Sequence, residues 1–183
     1  STDISTNYGD KYGLKYYSDG QASAKAQAVS VFQRFKEYQS HGGTDSMDDF
    51  LRSRGYDNAE SVLNDPIYSG QIRIIPRDQL EEAKQYLERM IKTEAARRPE
   101  QVYRYQETLN KLKDRLSDGK GAESIPLSKK GAEDLAKRAK QGKINADDLG
   151  LTTEELIKYD YIIQQAFKAG LTAATISVVL KVA

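Results

Sequence analysis

Residues 78–117 read DQLEEAKQYLERMIKTEAARRPEQVYRYQETLNKLKDRLS and carry the most regular apolar spacing in the chain. Apolar side chains recur every three or four residues from Leu80 to Met90, before Pro99, and from Val102 to Leu116, after it. This spacing is typical of an apolar stripe along an α-helix. Because proline suits the first turn of a helix, residues 97–100 are predicted to form a tight corner. We therefore predict a long antiparallel helical hairpin over about residues 78–117.

Helix start and stop signals extend this pattern to the rest of the chain. Asp19 stands before a segment of helical apolar spacing, and the sequence His41-Gly42-Gly43 is typical of the end of that helix. Ser128, and Thr152 with Glu155, are typical first-turn caps. The predicted helices cover residues 21–40, two short segments after Ser46 and Asp57, the hairpin, and residues 128–141, 152–169 and 172–182. Together they predict an all-α fold, an irregular helical domain of about six or seven helices.

Two segments depart from helical spacing. Residues 1–20 hold four tyrosines and three glycines and are predicted to form a Tyr- and Gly-rich N-terminal arm. Residues 71–75, QIRII, are β-branched and partly alternating, which predicts a short extended segment without a strand partner. We expect residues 21–183 to form the helical domain, with an internal boundary at the Gly- and Pro-containing loop 118–127.

The composition excludes several classes of site. With no cysteine and a single histidine, His41, among 183 residues, the chain has no disulfide framework, zinc–thiolate site or histidine-rich metal centre. Asn145 and Asp147 suggest a calcium loop, but Leu149 and Leu156 stand where further ligands are required. No uncharged apolar run reaches the roughly 18–20 residues that a membrane-spanning helix needs. We therefore predict no metal, no cofactor and no catalytic residues.

The C-terminal end of the sequence is apolar. Val178 and Val179 lie in a predicted last helix that has little polar surface and stops at Ala183 without a cap, and the chain begins without methionine. An exposed apolar patch of this kind marks an interface. We expect the chain to be a piece of a longer polypeptide, in which the missing C-terminal continuation or a protein partner covers Val178 and Val179.

Three segments resemble a helical domain of uncharacterised bacterial proteins: residues 72–87, residues 124–127, and residues 149–182, LGLTTEELIKYDYIIQQAFKAGLTAATISVVLKV. In those proteins a similar block precedes a long Gly- and Ala-rich hydrophobic region. The resemblance contains no catalytic motif, so it implies no activity. It implies that further apolar sequence follows Ala183. We expect a cytoplasmic domain, with membrane association only through sequence after Ala183.

The spacing of Arg34 and His41, with six residues between them, is similar to the Arg-to-His motif of the all-helical HEPN ribonucleases. That resemblance implies that the arginine stabilises phosphate charge and that the histidine acts as acid or base, in a dimer. Phe35 stands where such motifs usually place a polar residue. The alternative interpretation is that His41 caps the helix end, where the helix dipole favours it. RNA binding or cleavage by Arg34 and His41 is the second functional hypothesis.

A basic cluster is predicted at the corner of the hairpin. Arg97, Arg98 and Arg104, with Tyr103 nearby, would contact phosphates and bases if they formed one surface. Residues 77–117 hold 10 basic and 8 acidic side chains, a balance typical of an exposed salt-bridged helix face. Nucleic acid is therefore disfavoured as a partner.

The tyrosines of the N-terminal arm allow two interpretations. Tyr12, Tyr16 and Tyr17 either form a recognition surface, because tyrosine contributes a large contact area at a small entropic cost, or attach the arm to the helices. The first functional hypothesis is a non-enzymatic protein-interaction domain, the N-terminal part of a larger protein. Its partner is another protein or the missing continuation. A component of a phage-like or mobile-element assembly is a further alternative.

Overall fold

The computed structural model describes residues 4–5, 10–56, 59–117 and 126–159. Its helices are α1 (Gly20–Gln27), α2 (Val31–Ser40), α3 (Met47–Ser53), α4 (Ala59–Val62), α5 (Leu80–Arg97), α6 (Val102–Lys111) and α7 (Lys129–Lys140). Residues 153–159 are also helical. Its strands are β1 (Ile4–Ser5), β2 (Lys11–Leu14), β3 (Ile72–Ile74) and β4 (Leu112–Lys113). The described chain is mostly helical, as predicted, and it contains a small sheet that was not predicted.

The four strands form one sheet in the order β1-β2-β3-β4. β2, β3 and β4 are parallel neighbours, and β1 pairs antiparallel with β2. Parallel neighbours require a crossover connection. α1–α4 lie between β2 and β3 in the chain, and α5 and α6 lie between β3 and β4. The helices therefore serve as crossovers of a sheet in which Tyr12 lies opposite Ile72.

The all-α prediction is wrong at the four short segments that form strands. β2 lies inside the predicted N-terminal arm of residues 1–20, and β3 has strand partners on both sides. β4 occupies residues 112–113, so the second helix of the predicted hairpin ends at Lys111 and does not reach residue 117. Leu112 is 3% exposed because it pairs with β3 in the sheet, whereas its spacing from Leu109 had suggested a helix face.

Most helix ends are where the capping residues predicted them. Caps are confirmed at Asp19, Ser46, Ser128 and the reciprocal Thr152–Glu155 pair. The helix predicted over residues 21–40 is instead two helices, because Ala28 ends α1 and a capping box of Ser30 and Gln33 starts α2. α2 ends at Ser40, and Gly42 follows with a φ of 89°, a conformation that glycine adopts without strain.

The main core lies between α1, α5 and α6 and one face of the sheet. Ala24 and Ala28 of α1 pack with Leu87 of α5 and Tyr105 of α6, and each of these side chains is at most 4% exposed. The two alanines allow α1 to approach the other helices closely. Burial of a side chain of the size of Leu87 contributes about 1.5–3 kcal/mol to the free energy of unfolding.

The two faces of β3 differ in chemistry. Ile74 packs with Tyr12 and Leu116 on one face. Arg73 points to the other face, as the two-residue period of a strand requires, and it forms an ion pair with Glu107 of α6. The Arg73 side chain is fully buried, and burial lowers its pKa although the Glu107 charge opposes this. This buried pair ties β3 to α6.

Smaller apolar clusters hold the remaining helices. Phe35 of α2 contacts Phe50 of α3 edge to face, with 5.1 Å between ring centroids, and Tyr38 lies 5.0 Å from Phe50. Leu135 of α7 packs with Leu149. α2 and α3 are thus joined by aromatic contacts of about 0.5–1.5 kcal/mol each beyond their burial.

Two predicted features fall wholly or mostly outside the described residues. The predicted helix 172–182, with Val178 and Val179, lies outside the described residues, as does most of the predicted boundary 118–127. None of the described helices combines the length and apolar character that a membrane crossing requires. In the same ranges, no three His, Asp or Glu side chains come together as metal ligands would.

Candidate functional site

A groove of about 730 Å³ opens between α1 and α2 and is the strongest candidate for a binding site. The groove is lined by Lys15, Tyr17, Ala22, Lys25, Ala26, Val29, Gln33, Arg34, Lys36, Glu37, Ser40, Arg104 and Tyr105. Five of these described lining residues are basic and one, Glu37, is acidic. We call this surface the basic groove. Its volume is within the roughly 300–1,000 Å³ typical of ligand sites.

The segment after β2 is held firmly at one side of the basic groove. Lys15 donates its backbone N–H to the carbonyl oxygen of Ile74, at 3.0 Å. Tyr17 donates its backbone N–H to Ser23 Oγ at 3.0 Å, and its carbonyl oxygen accepts from Gln79 Nε2 at 2.8 Å. Ser23 and Gln79 are buried and hydrogen-bonded to each other. Lys15 and Tyr17 are therefore fixed on backbone that the sheet and α1 position.

Two cations of the basic groove meet at one tyrosine. Arg34 Nη2 donates to the Tyr68 hydroxyl at 3.0 Å, and Lys15 Nζ lies 5.0 Å from the Tyr68 ring centroid. Tyr68 is 3% exposed. Burial raises the pKa of Tyr68, but hydrogen bonds and positive charge from Arg34 and Lys15 outweigh it, so the pKa is below its ordinary value. We call Lys15, Arg34 and Tyr68 the Tyr68 cluster.

Arg104 lies at the floor of the basic groove and has a structural role. Its guanidinium donates to the Ala28 carbonyl oxygen at 2.8 Å, to Gln101 Oε1 at 2.8 Å and to the Tyr105 hydroxyl at 2.6 Å. Ala28 is the C-terminal cap of α1, where carbonyl oxygens need donors. The side chain is 6% exposed, and burial lowers its pKa. Arg104 therefore ties α6 to the end of α1.

The predicted basic corner does not form an open cationic surface. Arg98 donates to both carboxylate oxygens of Glu94, at 2.8 and 2.7 Å, and these hydrogen bonds lower the pKa of Glu94. Arg104 is committed to α1, and Arg97 is exposed. Only one of the three candidate arginines thus lines the basic groove, and it does so from the floor.

The three candidate tyrosines occupy three different environments. Tyr12 is 1% exposed, and its hydroxyl donates to the Ser117 carbonyl oxygen at 3.1 Å. Burial, with a further contribution from the Asp114 charge, raises the pKa of Tyr16 to about 12. Tyr17 is 49% exposed and lines the basic groove. Tyr17 alone among the three offers an exposed ring beside the cations.

Arg34 precedes Glu37 on α2, and His41 follows it as the C-terminal cap of that helix. Arg34 Nε lies 3.1 Å from Glu37 Oε2, and His41 Nδ1 lies 2.7 Å from the Glu37 carbonyl oxygen. A carbonyl oxygen only accepts, so His41 Nδ1 is the donor in this contact. Arg34 lines the basic groove, whereas His41 caps α2 at its exposed end.

Sequence reasoning missed Lys15, Lys25, Lys36 and Tyr68 as site residues. They come from four places in the chain: the end of β2, α1, α2 and the loop before β3. No sequence-spacing rule connects these four residues. They come together only because the chain turns at residues 28–30, between α1 and α2, and later forms β3 beside β2. Isolated lysines in a chain with 28 basic and 27 acidic residues indicate only a solvated surface.

Residues 145–150, where the sequence excluded a calcium loop, form a capped turn. The Asn145 backbone N–H donates to Asp148 Oδ2 at 2.8 Å, and Asp148 also pairs with Arg138 of α7. Its carboxylate therefore caps the start of this turn.

Comparison of the whole chain with protein families, with characterised proteins and with solved structures finds no match.

Proposed function

We propose that this chain is a non-enzymatic protein-interaction domain that binds an acidic segment of a partner protein in the basic groove. The observation that supports it most is the concentration of charge: five basic residues and one acidic residue line the groove, while the whole chain has a net charge of +1. The antiparallel hairpin that we propose for α5 and α6 would serve as its scaffold.

The walls of the basic groove suit an extended peptide. Ala22 and Ala26 of α1, with Val29, line it with small apolar side chains, which leave room for a backbone to approach. Tyr17 offers an exposed ring of the kind that is enriched at interfaces. Each ion pair in an open groove contributes about 0–1 kcal/mol, so several pairs and the apolar contacts must act together.

A labelled acidic peptide tests this proposal. The probe is the fluorescent heptapeptide Ala-Glu-Ala-Glu-Ala-Glu-Ala, and its binding is measured by fluorescence anisotropy at about 50 mM and about 200 mM salt. We expect saturable binding that weakens at the higher salt. We also expect Lys36→Met, which removes an exposed charge from the groove, to weaken binding about two- to fivefold.

The matched control changes a lysine outside the groove. Lys92→Met removes one exposed charge from α5, so it changes the net charge as Lys36→Met does. We expect Lys92→Met to leave peptide affinity unchanged. Equal effects of the two variants, or no binding of the acidic peptide to the unaltered chain, would contradict the proposal.

RNA recognition by Arg34 and His41 is a second candidate function. It is favoured by one observation, the position of Arg34 in the basic groove about two helical turns before His41. An RNA strand in the groove would bring phosphates to Arg34. His41 would then act as general base on a 2′-hydroxyl group.

An RNA cleavage assay separates this candidate from the first. We expect His41→Ala to abolish cleavage of a single-stranded RNA while circular dichroism shows unchanged helicity. Absence of cleavage by the unaltered chain, together with no RNA binding at about 50 mM salt, where phosphate contacts are strongest, would remove the candidate.

A further inference from the structure

We propose that the Tyr68 cluster is a phosphate subsite, which takes a phosphorylated side chain of the acidic partner segment. This inference rests on the proposed function and specifies the chemistry of the ligand. Its basis is that two cations of the basic groove, Lys15 and Arg34, meet at a single buried phenol, Tyr68.

The two cations of the Tyr68 cluster share one anchor. The Arg34 guanidinium carbon lies 5.7 Å from the Tyr68 ring centroid, and Lys15 Nζ lies 5.0 Å from the same point. The two side chains carry like charges, and a ligand that carries two negative charges on one group would neutralise both of them. A carboxylate carries one charge, whereas a phosphate monoester carries about 1.5 to 2 at neutral pH.

The Tyr68 cluster has N–H donors beyond those that face Tyr68 and Glu37. A guanidinium has five N–H donors, and Tyr68 and Glu37 engage only two nitrogen atoms of Arg34. Lys15 adds the ammonium donors of a side chain that is itself half-buried. Phosphate oxygens accept from an arginine fork and a lysine together in known phosphate sites.

The surroundings of the Tyr68 cluster hold it in place without a ligand. Tyr68 is 3% exposed, and Lys15 follows β2 on backbone that is bonded to Ile74. Glu37 lies 3.1 Å from Arg34 Nε and keeps that guanidinium on the groove side of α2. Lys25 and Lys36, which are exposed on the same groove, would pair with acidic residues that flank the phosphorylated one.

Three peptides that differ at one position test the inference. The fluorescent heptapeptides are Ala-Glu-Ala-X-Ala-Glu-Ala, with serine, glutamate or phosphoserine at X, and they are titrated with the full chain. At about pH 7.5 we expect the phosphoserine peptide to bind roughly tenfold more tightly than the glutamate peptide. At about pH 5.5 we expect this preference to disappear, because the second pKa of a phosphate is about 6.

Groove variants separate the phosphate subsite from general electrostatic attraction. We expect Lys15→Met and Arg34→Met to remove the preference for phosphoserine over glutamate. Lys36→Met is the matched control within the same groove, and we expect it to weaken both peptides equally and leave the preference intact. Arg34→Lys keeps the charge but loses the fork, so we expect it to reduce the preference.

Each outcome of this experiment decides a separate point. Equal binding of the phosphoserine and glutamate peptides would overturn the phosphate subsite and leave the proposed function standing, whereas no binding of either would overturn both. Equal competition by inorganic phosphate and by the phosphoserine peptide would show that no partner segment is recognised. Tighter binding of a short single-stranded RNA than of the phosphoserine peptide would also overturn the inference.

Discussion

The environments of Tyr16 and Tyr68 shift the pKa of the phenol group in opposite directions. Burial is the main cause of the raised pKa of Tyr16, which is about 12, and the Asp114 charge adds to it. Tyr68 is also buried, but hydrogen bonds and positive charge from Arg34 and Lys15 favour its ionised form. The difference follows from which charges lie beside each hydroxyl group, because burial alone would raise both pKa values.

Alkaline titration by ultraviolet absorbance tests these two shifts. We expect the chain to ionise one tyrosine below the ordinary pKa of about 10, and Tyr68→Phe to remove that early step. We expect Tyr16→Phe to remove a step near pH 12. Tyr17→Phe, at an exposed ring, is the control. We expect it to leave both the early step and the step near pH 12 in place. An early step that persists in Tyr68→Phe would contradict the assignment.

The pKa of Tyr16 also has a consequence for stability. A phenol whose folded pKa exceeds its unfolded value stabilises the folded chain below about pH 10, and this contribution is lost as the pH rises towards 12. We therefore expect the unaltered chain to lose up to about 2–3 kcal/mol of unfolding free energy over that interval because of Tyr16. Denaturant unfolding of Tyr16→Phe should show a shallower decline, and an identical decline would contradict it.

At the level of elements, two buried arginines connect parts that are distant in sequence. Arg73 joins β3 to Glu107 of α6, and Arg104 joins α6 to the C-terminal cap of α1. Neither role was predicted, because the partner of each arginine lies far away in the sequence. Burial of a charge is tolerated only with a partner close by, and such a partner is a property of the packed elements.

Removal of the Arg104 side chain should loosen the contact between α6 and α1. We expect Arg104→Met to lower the free energy of unfolding by about 2–4 kcal/mol, because the Ala28 carbonyl oxygen and the Tyr105 hydroxyl lose a charged donor while buried. Arg97→Met, at an exposed position of the same predicted corner, should change it by less than about 0.5 kcal/mol. Equal values from denaturant unfolding would show that Arg104 has no structural role.

Helix boundaries were more predictable than strands. A cap such as Ser128 or Asp19 is a local contact between residues three positions apart, so the sequence contains all of it. β2 and β4 are each four residues or fewer, and their identity depends on β3, which is distant in the chain. Tyr12 and Leu14 alternate with Gly13 as a strand would, but so short an alternation is equally typical of a Tyr- and Gly-rich loop.

For the molecule as a whole, the local concentration of charge matters more than the net charge. The chain has 28 basic and 27 acidic residues, so its long-range field is weak and gives little steering of an acidic ligand. The basic groove concentrates cations from the segment after β2, from α1 and from α2, and Glu37 is the one carboxylate among its described lining residues. The sequence predicted Arg34 as a candidate, but the clustering around it depends on how α1 and α2 turn at residues 28–30.

Two substitutions with the same effect on net charge distinguish a local from a global field. Glu37→Gln and Glu88→Gln each leave 28 basic and 26 acidic residues, so each raises the net charge from +1 to +2. Glu37 lines the groove and pairs with Arg34, whereas Glu88 lies exposed on α5. We expect Glu37→Gln to tighten binding of the acidic heptapeptide about two- to fivefold and Glu88→Gln to leave it unchanged. If both variants bind the peptide more tightly by the same factor in anisotropy titrations, the peptide responds to total charge. That result would contradict the groove as the binding site.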